Sequence, residues 1–541
     1  MRKNAFQNIG IENRIWAFSD LVRYSMSSQD YMYALYLVIK TKDLSGSNSD
    51  IDYLYNLMRE IASKDNLRSP FVDAEQFREA YDILHAADNI NLEECLGIIS
   101  SRLRRTITRI GMIINPLMDE YENSILPETK EILLAEGEVF IPHLLRLITK
   151  YSDKKFTITT RNEQMYPILQ YICRNCVNTK VVFADIYEKN FIDQKFDLIL
   201  SLPAFGGRAV VERGDFICRE LEMVALENLA SYITQEGRLV IVMPARITFA
   251  GMRVADLRRF MQTTYKIEKI SSLPEGVIPN TGIKTYMLEF ASGTTENVII
   301  RDLEVFGERR KTVPIDNLGV ANETEASIDE FKQMDSWNIN KIFAELEQAI
   351  EMDMFSVNTE YLGKVAEVFR GKAITTRSEK GNVGVINISN IGEYELNIDG
   401  LEYIEEDRRI QTYILKAGDI LMPARGTSIR TVVFDEQKFP CIASANVIVI
   451  RPNNEVLDSV YLKIFLDSFS GKNLIESFQQ GHGIMNVSHR DLNDMLVPVP
   501  QIDEQKQIAH KYIAAYKKYK ATVEEAKREW EAVLKDVQTY R

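Results

Sequence analysis

The chain has 541 residues, of which 45% are apolar and 26% are charged, a balance typical of a folded globular protein. This composition excludes a disordered chain, because burial of the apolar side chains can offset the entropy lost on ordering. The formal net charge of −13 argues against a protein that coats nucleic acid without specificity. Residues 361–541 hold 24 basic and 25 acidic residues, so the excess acid lies in the first 360, where only a localised basic groove could contact DNA.

No apolar run approaches the roughly 20 residues that a membrane helix needs, and the first residues lack the apolar stretch of a signal peptide. These features predict a cytoplasmic protein that has no membrane partner. Five cysteines are too few for a disulfide framework. The one close pair, Cys173 and Cys176, lacks the further ligands of a metal site, so we predict no metal site.

The N-terminal two thirds divide into a helical part and an alternating part. Residues 1–125 are predicted to be helical, since apolar residues recur at helical spacing. In residues 126–320 short apolar runs, from KFTIT to KTYMLEFAS, alternate with helical stretches. This alternation predicts an α/β fold, a Rossmann-like domain with a mixed or parallel sheet covered by helices. Residues 321–360 are predicted to be a polar linker followed by a helix.

The last third has a different pattern. Short β-like runs, separated by Gly, Asn and Asp, predict a β-rich domain over residues 361–502. Residues 503–541 are highly charged and predict a C-terminal helix that Asp503 caps at its start. Apolar residues of this helix recur every three to four positions between Ile508 and Val533. We therefore expect the helix to need a partner surface, in this chain or in a second copy.

The string FDLILSLPAFGG combines a strand with Ser-x-Pro-x-Phe-Gly. It resembles the catalytic motif of adenine DNA methyltransferases, Asn-Pro-Pro-Phe or Asn-Pro-Pro-Tyr. ISSLPEGVIPNTGIKTYMLEF, GEVFIPHLLRLITKY and the N-terminal helical region resemble segments of the modification (M) subunits of type I restriction–modification systems. The resemblance covers about residues 10–345. It implies a methyltransferase fold and, for an active member, S-adenosylmethionine as the cofactor.

The catalytic motif departs from the family pattern. In the family, the Asn accepts a hydrogen bond from the adenine amino group, and the aromatic residue stacks on the flipped base. Leucine offers no acceptor, and a lost transition-state hydrogen bond slows a reaction roughly a hundredfold or more. The resemblance thus gives four motif-equivalent positions but no convincing catalytic residue: Leu202 for the Asn, Ala204 for the second proline, and Pro203 and Phe205 unchanged.

The cofactor turn departs as well. In the family, an Asp-Pro-x-x-Gly-Ser-Gly turn lets the backbone approach the cofactor, whereas ITKYSDKKFTITTRNEQM, the matching region here, contains no glycine. By resemblance, Glu163 stands where an acidic residue would hold the ribose, and Asp185 where one would meet the adenine ring. Both could equally be surface carboxylates. We therefore expect a methyltransferase fold without catalysis and without cofactor, and the alternative is a chain that binds S-adenosylmethionine.

Four strings of the last third follow in order: LGKVAEVFRGKAITTR, LKAGDILMPARGTSIRTVVF, IASANVIVIRP and FQQGHGIMNVSHRDLNDMLVPVPQIDEQKQIAHKY. Together they resemble a target-recognition domain of type I specificity (S) subunits, followed by the spacer helix. Such a domain reads bases in the major groove and binds phosphates with Lys and Arg, so double-stranded DNA is the implied partner. The candidate DNA contacts are Arg370, Lys372, Arg377, Arg425, Thr427, Ser428, Arg430, His482, Asn486, Ser488, His489 and Arg490.

Specificity subunits normally carry two recognition domains and two spacer helices, whereas this chain has one of each. By resemblance, a homodimer through the C-terminal helix, or pairing with separate restriction or modification subunits, would restore the pair. The leading hypothesis is a sequence-specific DNA-binding component of a restriction–modification or related defence system. The alternatives are an active adenine DNA methyltransferase with a variant motif, and a structural subunit of a larger DNA-defence complex.

Overall fold

The chain forms two compact units, Met1–Trp337 and Asn338–Arg541, in the computed structural model. The structure describes residues 10–22, 30–46, 48–85, 91–102, 112–212, 214–278, 283–293, 296–305, 317–333, 337, 339, 342–343, 358–374, 381–426, 429–478 and 485–539. No helix within these ranges is both long and apolar enough to cross a membrane. The same residues contain no group of three or more His, Cys, Asp or Glu side chains that could hold a metal ion.

The first unit begins with helices, as the sequence predicts. The second helix is apolar around its whole circumference, and every residue from Tyr31 to Ile39 is less than 5% exposed, so it forms the centre of this region. The third helix is amphipathic and begins at a cap, where the Asp50 carboxylate accepts from the Tyr53 amide. The helices are α1 (Ile11–Val22), α2 (Asp30–Ser45), α3 (Ile51–Lys64), α4 (Ala74–His85), α5 (Leu92–Arg102) and α6 (Asn115–Glu122).

A nine-stranded sheet follows, with helices between its strands. The strands are β1 (Glu131–Ala135), β2 (Lys155–Thr160), β3 (Thr179–Phe183), β4 (Phe196–Ser201), β5 (Ile233–Pro244), β6 (Lys266–Leu273), β7 (Thr285–Ala291), β8 (Asn297–Val305) and β9 (Leu318–Ser327). The helices are a 3-10 helix (Gly137–His143), α7 (Leu144–Lys150), α8 (Met165–Ile172), α9 (Leu221–Ala230), α10 (Arg246–Phe249), α11 (Arg253–Thr264) and α12 (Ile328–Gln333).

The strand order is β3-β2-β1-β4-β5-β7-β6-β8-β9. Strands β1 to β5 pair in parallel, while β7 is antiparallel to both of its neighbours. The chain runs outward from β1 to β3 on one side and from β4 to β5 on the other, so the order reverses between β1 and β4. Ligands of open α/β sheets bind at the carboxyl ends of the strands at such a switch point. Here that point lies where Ala135 pairs with Ser201.

Three sequence-based assignments need correction. The first strand is Glu131–Ala135, ahead of KFTIT, and the long helix predicted around FICRELEMVALENLASYI spans only Leu221–Ala230. The predicted linker 321–360 begins inside β9, which pairs antiparallel with β8, so the predicted boundary at residue 320 falls inside a strand. Most side chains of β9 lie outside the core, because it is an edge strand, and its polar composition therefore gave no strand signal.

The second unit is rich in short strands, as predicted. Its strands are β10 (Thr359–Tyr361), β11 (Ala366–Arg370), β12 (Val383–Ile386), β13 (Glu402–Ile404), β14 (Ile420–Pro423), β15 (Arg425–Gly426), β16 (Val432–Val433), β17 (Cys441–Ala443), β18 (Val447–Pro452), β19 (Met485–Asn486) and β20 (Leu496–Pro498). Its helices are α13 (Leu362–Val365), α14 (Ser459–Asp467), α15 (Phe469–Ser477), α16 (His489–Asn493) and α17 (Ile502–Thr539). A four-stranded sheet of order β11-β18-β14-β16 contributes buried residues to two core clusters of this unit.

The last helix, α17, has 38 residues and is therefore about 57 Å long. It begins at Ile502, so Asp503 lies in its first turn and does not precede it as the predicted cap. Gln505 is fully buried and anchors this end: its Oε1 accepts from the Asp458 amide, and its Nε2 donates to the carbonyls of Val456 and Pro500. The first turns of α17 are thus fixed to the β-rich domain.

Candidate functional site: the switch point and the recognition loops

The motif-equivalent residues follow β4 directly, at the switch point. Leu202 is only 4% exposed and packs into the main core of the unit. The carbonyl oxygen of Ser201 accepts a hydrogen bond from the Tyr121 hydroxyl at 2.7 Å. Leu202 is thus a core residue, and its side chain offers no hydrogen-bond acceptor to a base beside Phe205.

The turn after β1 is the other half of the switch point. It contains Glu136, whose φ of 55° is left-handed, and then Gly137. Residues 136–140 are all buried, and a Cβ on Gly137 would lie 2.1 Å from Ile158 Cγ2. A nucleotide-binding turn needs exposed amides that a ligand can approach, and this turn is packed against β2 instead.

This arrangement shows that the sequence comparison assigned the cofactor turn to the wrong loop. The loop between α7 and β2, which we compared with the glycine-rich turn, lies at the opposite, amino end of β2. The turn that occupies the cofactor position in the fold is Glu136–Gly137, and it does contain a glycine. GEVFIPHLLRLITKY, which resembles a segment of the M subunits, follows β1 and forms the 3-10 helix and α7.

Glu136 bridges the two halves of the switch point. Its Oε2 accepts from the Tyr187 hydroxyl at 2.9 Å and from the Ala204 amide at 3.1 Å. Arg161 closes the network: its Nε lies 3.5 Å from Glu136 Oε1, its Nη1 lies 3.8 Å from Asp185 Oδ2, and its guanidinium stacks 4.5 Å from the Tyr187 ring centroid. The carboxylate therefore connects the turn after β1 to the motif after β4.

Burial dominates the electrostatics of this network. Burial, and then the charge of Glu138, raise the pKa of Glu136 to about 7, although Tyr187, Arg161 and Ala204 stabilise the charged form. Burial also raises the pKa of the Glu138 carboxyl. Both groups are therefore costly to ionise in the folded chain.

The two carboxylates predicted to hold a cofactor follow the neighbouring parallel strands β2 and β3 and have different partners. Asp185 follows β3 and faces Arg161. Glu163 is exposed, and its Oε2 lies 3.5 Å from Asn66 Nδ2, on the N-terminal helices. A ribose needs a free carboxylate and a close backbone turn. The Asp185 carboxylate faces Arg161 and the turn after β1 is buried, whereas the Glu163 carboxylate is exposed.

In the second unit, the structure brings two of the predicted DNA-contact loops together. Strand β15, in PARGTSIR, pairs antiparallel with β19, in QGHGIMNVSHR, so that Arg425 lies opposite Asn486. Arg425 is exposed, as are His489 and Arg490 at the start of α16. The ladder therefore places Arg425 opposite the segment that leads into α16, whose first residues are His489 and Arg490.

The other predicted DNA-contact residues differ in whether their polar groups already have a partner within the chain. The Arg370 Nε donates to the Ala445 carbonyl, and the Lys372 Nζ lies 5.9 Å from the Tyr413 ring centroid. The Ser488 hydroxyl caps α16 by accepting from the Arg490 amide. Arg430 is half-buried and lines a cleft of about 680 Å³ that Tyr512 of α17 also lines. The candidates that lie outside the described residues are Arg377, Thr427, Ser428 and His482.

Sequence reasoning missed Glu136, Arg161 and Tyr187. They lie at the ends of β1, β2 and β3, the edge at which a parallel sheet places its functional residues. The available signal was therefore the pattern of polar residues after consecutive strands, and recognising it required the first strand to be assigned to EILLA.

Two families match adjoining parts of the chain. Residues 168–368 match the family described as N-6 DNA Methylase. Residues 357–529 match the type I restriction modification DNA specificity domain. The two matches have the same order as the resemblances seen in the sequence, and the first begins at residue 168, inside the range 10–345.

Individual relatives are distant. A protein from Methanocaldococcus jannaschii, named for the specificity subunit of a type I restriction enzyme, is 25% identical over 27% of this chain, and the match covers 36% of its own length. The StySPI type I methylase subunit from Salmonella potsdam is 27% identical over 19% of this chain and 20% of its own length. The chain therefore spans about a third or less of these relatives. A type I methyltransferase subunit structure from Streptococcus thermophilus is 13% identical, with a TM-score of 0.42 over 54% of this chain and 86% of that chain.

Proposed function

The chain is a fusion of an N-6 DNA methylase domain and a type I restriction–modification DNA specificity domain, and from this premise we propose that it is a sequence-specific DNA-binding component of a restriction–modification or related defence system. In this proposal the specificity domain recognises the DNA sequence. The methyltransferase fold is a scaffold that transfers no methyl group.

One observation carries the non-catalytic part of the proposal: the Glu136 carboxylate spans the switch point and binds the Tyr187 hydroxyl and the Ala204 amide. S-adenosylmethionine, when bound, would supply the methyl group for transfer. The crevice in which it would lie is crossed by a hydrogen-bonded network of the chain itself. Leu202, in addition, leaves an adenine amino group without its acceptor, which raises the barrier to transfer.

Recognition of DNA is assigned to the paired loops of the second unit. Arg425 is suited to guanine, whose O6 and N7 accept two hydrogen bonds from a guanidinium, and an asparagine such as Asn486 is suited to adenine. His489 and Arg490, at the exposed start of α16, are suited to phosphates. The chain's negative charge disfavours binding outside the target sequence.

Methyl transfer tests the scaffold proposal directly. The full chain is titrated with S-adenosylmethionine in a calorimeter and then incubated with labelled cofactor and mixed duplex DNA. We expect neither heat of binding nor label in DNA. The variant Leu202→Asn restores the acceptor but not the crevice, so we expect it to remain inactive as well. Tight cofactor binding or labelled adenine from the natural chain would establish the active enzyme instead.

Selection from a pool of randomised duplexes tests sequence recognition. We expect one enriched sequence that binds at moderate salt, because base contacts add to the salt-sensitive phosphate term. Arg425→Gln should cost about 1–3 kcal/mol of discrimination at one base pair. Arg409→Gln, at another exposed arginine of the same unit, is the matched control. Failure to enrich any sequence would favour a structural subunit with vestigial DNA contacts.

The partner proposed for the chain is a second copy of itself. The distal part of α17 carries an exposed apolar stripe, Trp530, Val533, Leu534 and Val537, at spacings of three, four and seven residues. Two antiparallel helices would cover both stripes and place two recognition domains about a two-fold axis. A separate restriction or modification subunit is the alternative occupant of the stripe.

A further inference from the structure

A polar cleft of about 510 Å³ opens in the first unit, where the end of α3 meets the loop that follows β2. Buried Ala62 and Leu67 belong to its lining. None of the residues that line it is acidic. Its polar groups come from Arg59, Ser63, Asn66, Arg68, Ser69 and Gln164.

The cleft is rich in hydrogen-bond donors. Each arginine presents up to five N–H groups and carries a permanent positive charge, and the amides and hydroxyls can donate as well. Within the part of the chain that the structure describes, neither Arg59 nor Arg68 has a carboxylate within ion-pair distance. Two guanidinium groups without a carboxylate partner among the described residues, in a concave surface with no acidic lining residue, favour an anionic ligand.

Backbone hydrogen bonds hold residues 61–67, which lie between the two arginines. The Leu67 amide donates to the Ala62 carbonyl at 2.8 Å, and the Asp65 and Asn66 amides donate to the carbonyls of the preceding turn. Asn66 adopts a φ of 53°, a left-handed conformation that asparagine tolerates at a helix end. These bonds occupy carbonyl groups of the last turn of α3 that would otherwise repel an anion.

We propose that this cleft binds a phosphate group. The planar guanidinium fork matches phosphate oxygens in pairs, and two such forks with neighbouring amides can surround a monoester or a diester. The phosphate can belong to a free nucleotide or to the DNA backbone. The inference is independent of the proposed function, because all of its residues lie in the first unit and none belongs to the switch point.

Substitution of Glu163 tests whether a nearby negative charge weakens phosphate binding. Its carboxylate lies outside the lining but next to Asn66. A negative charge beside a phosphate site weakens phosphate binding, so Glu163→Gln should strengthen it severalfold. If Glu163 instead held a ribose, the same substitution would weaken nucleotide binding.

The experiment uses the full chain and two probes. Adenosine monophosphate is titrated by calorimetry with adenosine as the phosphate-free control, and a labelled random-sequence duplex is titrated by fluorescence anisotropy. We expect Arg59→Gln combined with Arg68→Gln to weaken binding of at least one probe tenfold or more, by the loss of charge-assisted hydrogen bonds. Arg78→Gln on α4, an exposed arginine paired with Asp82, is the control and should change neither.

Each outcome decides the proposal. Loss confined to adenosine monophosphate identifies a nucleotide site, and loss confined to DNA, equal for all sequences, identifies a backbone contact. Unchanged binding of both probes in the double variant, or no binding of either probe by the natural chain, overturns the proposal. Since both arginines are exposed, the variants should keep the thermal unfolding temperature of the natural chain, which verifies that they fold. Preference for a selected sequence reports separately on the specificity domain.

Discussion

Glu136 is a buried carboxylate whose protonation is coupled to the free energy of unfolding. Its pKa rises from 4.5 to about 7 on folding, so between these values the folded chain holds a proton that the unfolded chain has lost. Its contribution to stability is complete below about pH 4.5 and is lost as the pH rises through 7. The free energy of unfolding therefore falls by up to about 1.4 kcal/mol per pH unit from this group.

Glu136→Gln removes this pH-dependent contribution. We expect urea unfolding between pH 5 and 7 to show a steeper loss of stability in the natural chain than in the variant. Glu138, whose pKa is also raised by burial, leaves a slope of the same sign in both. Glu128→Gln, at an exposed carboxylate of the preceding loop, is the control. Equal slopes in Glu136→Gln and the natural chain would contradict the buried network.

Single residues differ in how far the sequence predicted them. Leu202 lies directly after a strand, and the apolar run FDLIL indicates that strand without further information. The Glu136–Tyr187 pair was not predicted, because its members lie 51 residues apart and meet only when β1 and β3 join the same sheet. Contacts of this kind depend on the order of the strands in the sheet, and that order cannot be derived from a single sequence.

At the scale of elements, the attachment of α17 depends on Gln505. Gln505→Ala would leave the Asp458 amide and the Val456 and Pro500 carbonyls without this partner. Each buried polar group left unpaired costs about 1–3 kcal/mol, so we expect the second unit to unfold at lower urea concentration. Hydrogen exchange should speed up at Asp458 first. Gln507→Ala, two positions further and exposed, should leave both measurements unchanged.

Elements were predictable where their local pattern agrees with their place in the fold. The strands from β2 to β7 and helix α17 follow their apolar spacing. β1 was missed because EILLA continues into the apolar run EVFIPHLLRLI and has the pattern of a helix. β9 was missed for a different reason. Most of its side chains lie outside the core, so its polar composition shows no strand pattern.

At the scale of the whole molecule, the proposed dimer would supply two recognition domains, and α17 would join the two chains that carry them. Trp530 is 62% exposed and Val537 is 64% exposed. Large apolar side chains repeated along one face of a helix are covered in a stable assembly, and a two-fold axis would impose a palindromic, interrupted target sequence. Symmetry in the selected sequence and dimerisation are therefore expected together.

Trp530→Glu combined with Val537→Glu should convert a dimer to a monomer, because two charges would be buried without partners. Sedimentation at micromolar concentration measures the mass of the full chain, with and without the selected duplex. Ala532→Glu adds one negative charge to the opposite face of the helix and should leave the dimer intact. If the natural chain sediments as a monomer without DNA and still selects a palindrome, two copies come together only on the duplex and α17 alone does not pair them. A monomer that selects one undivided half-site would instead show that a single recognition domain suffices, because a symmetric target sequence requires two of them.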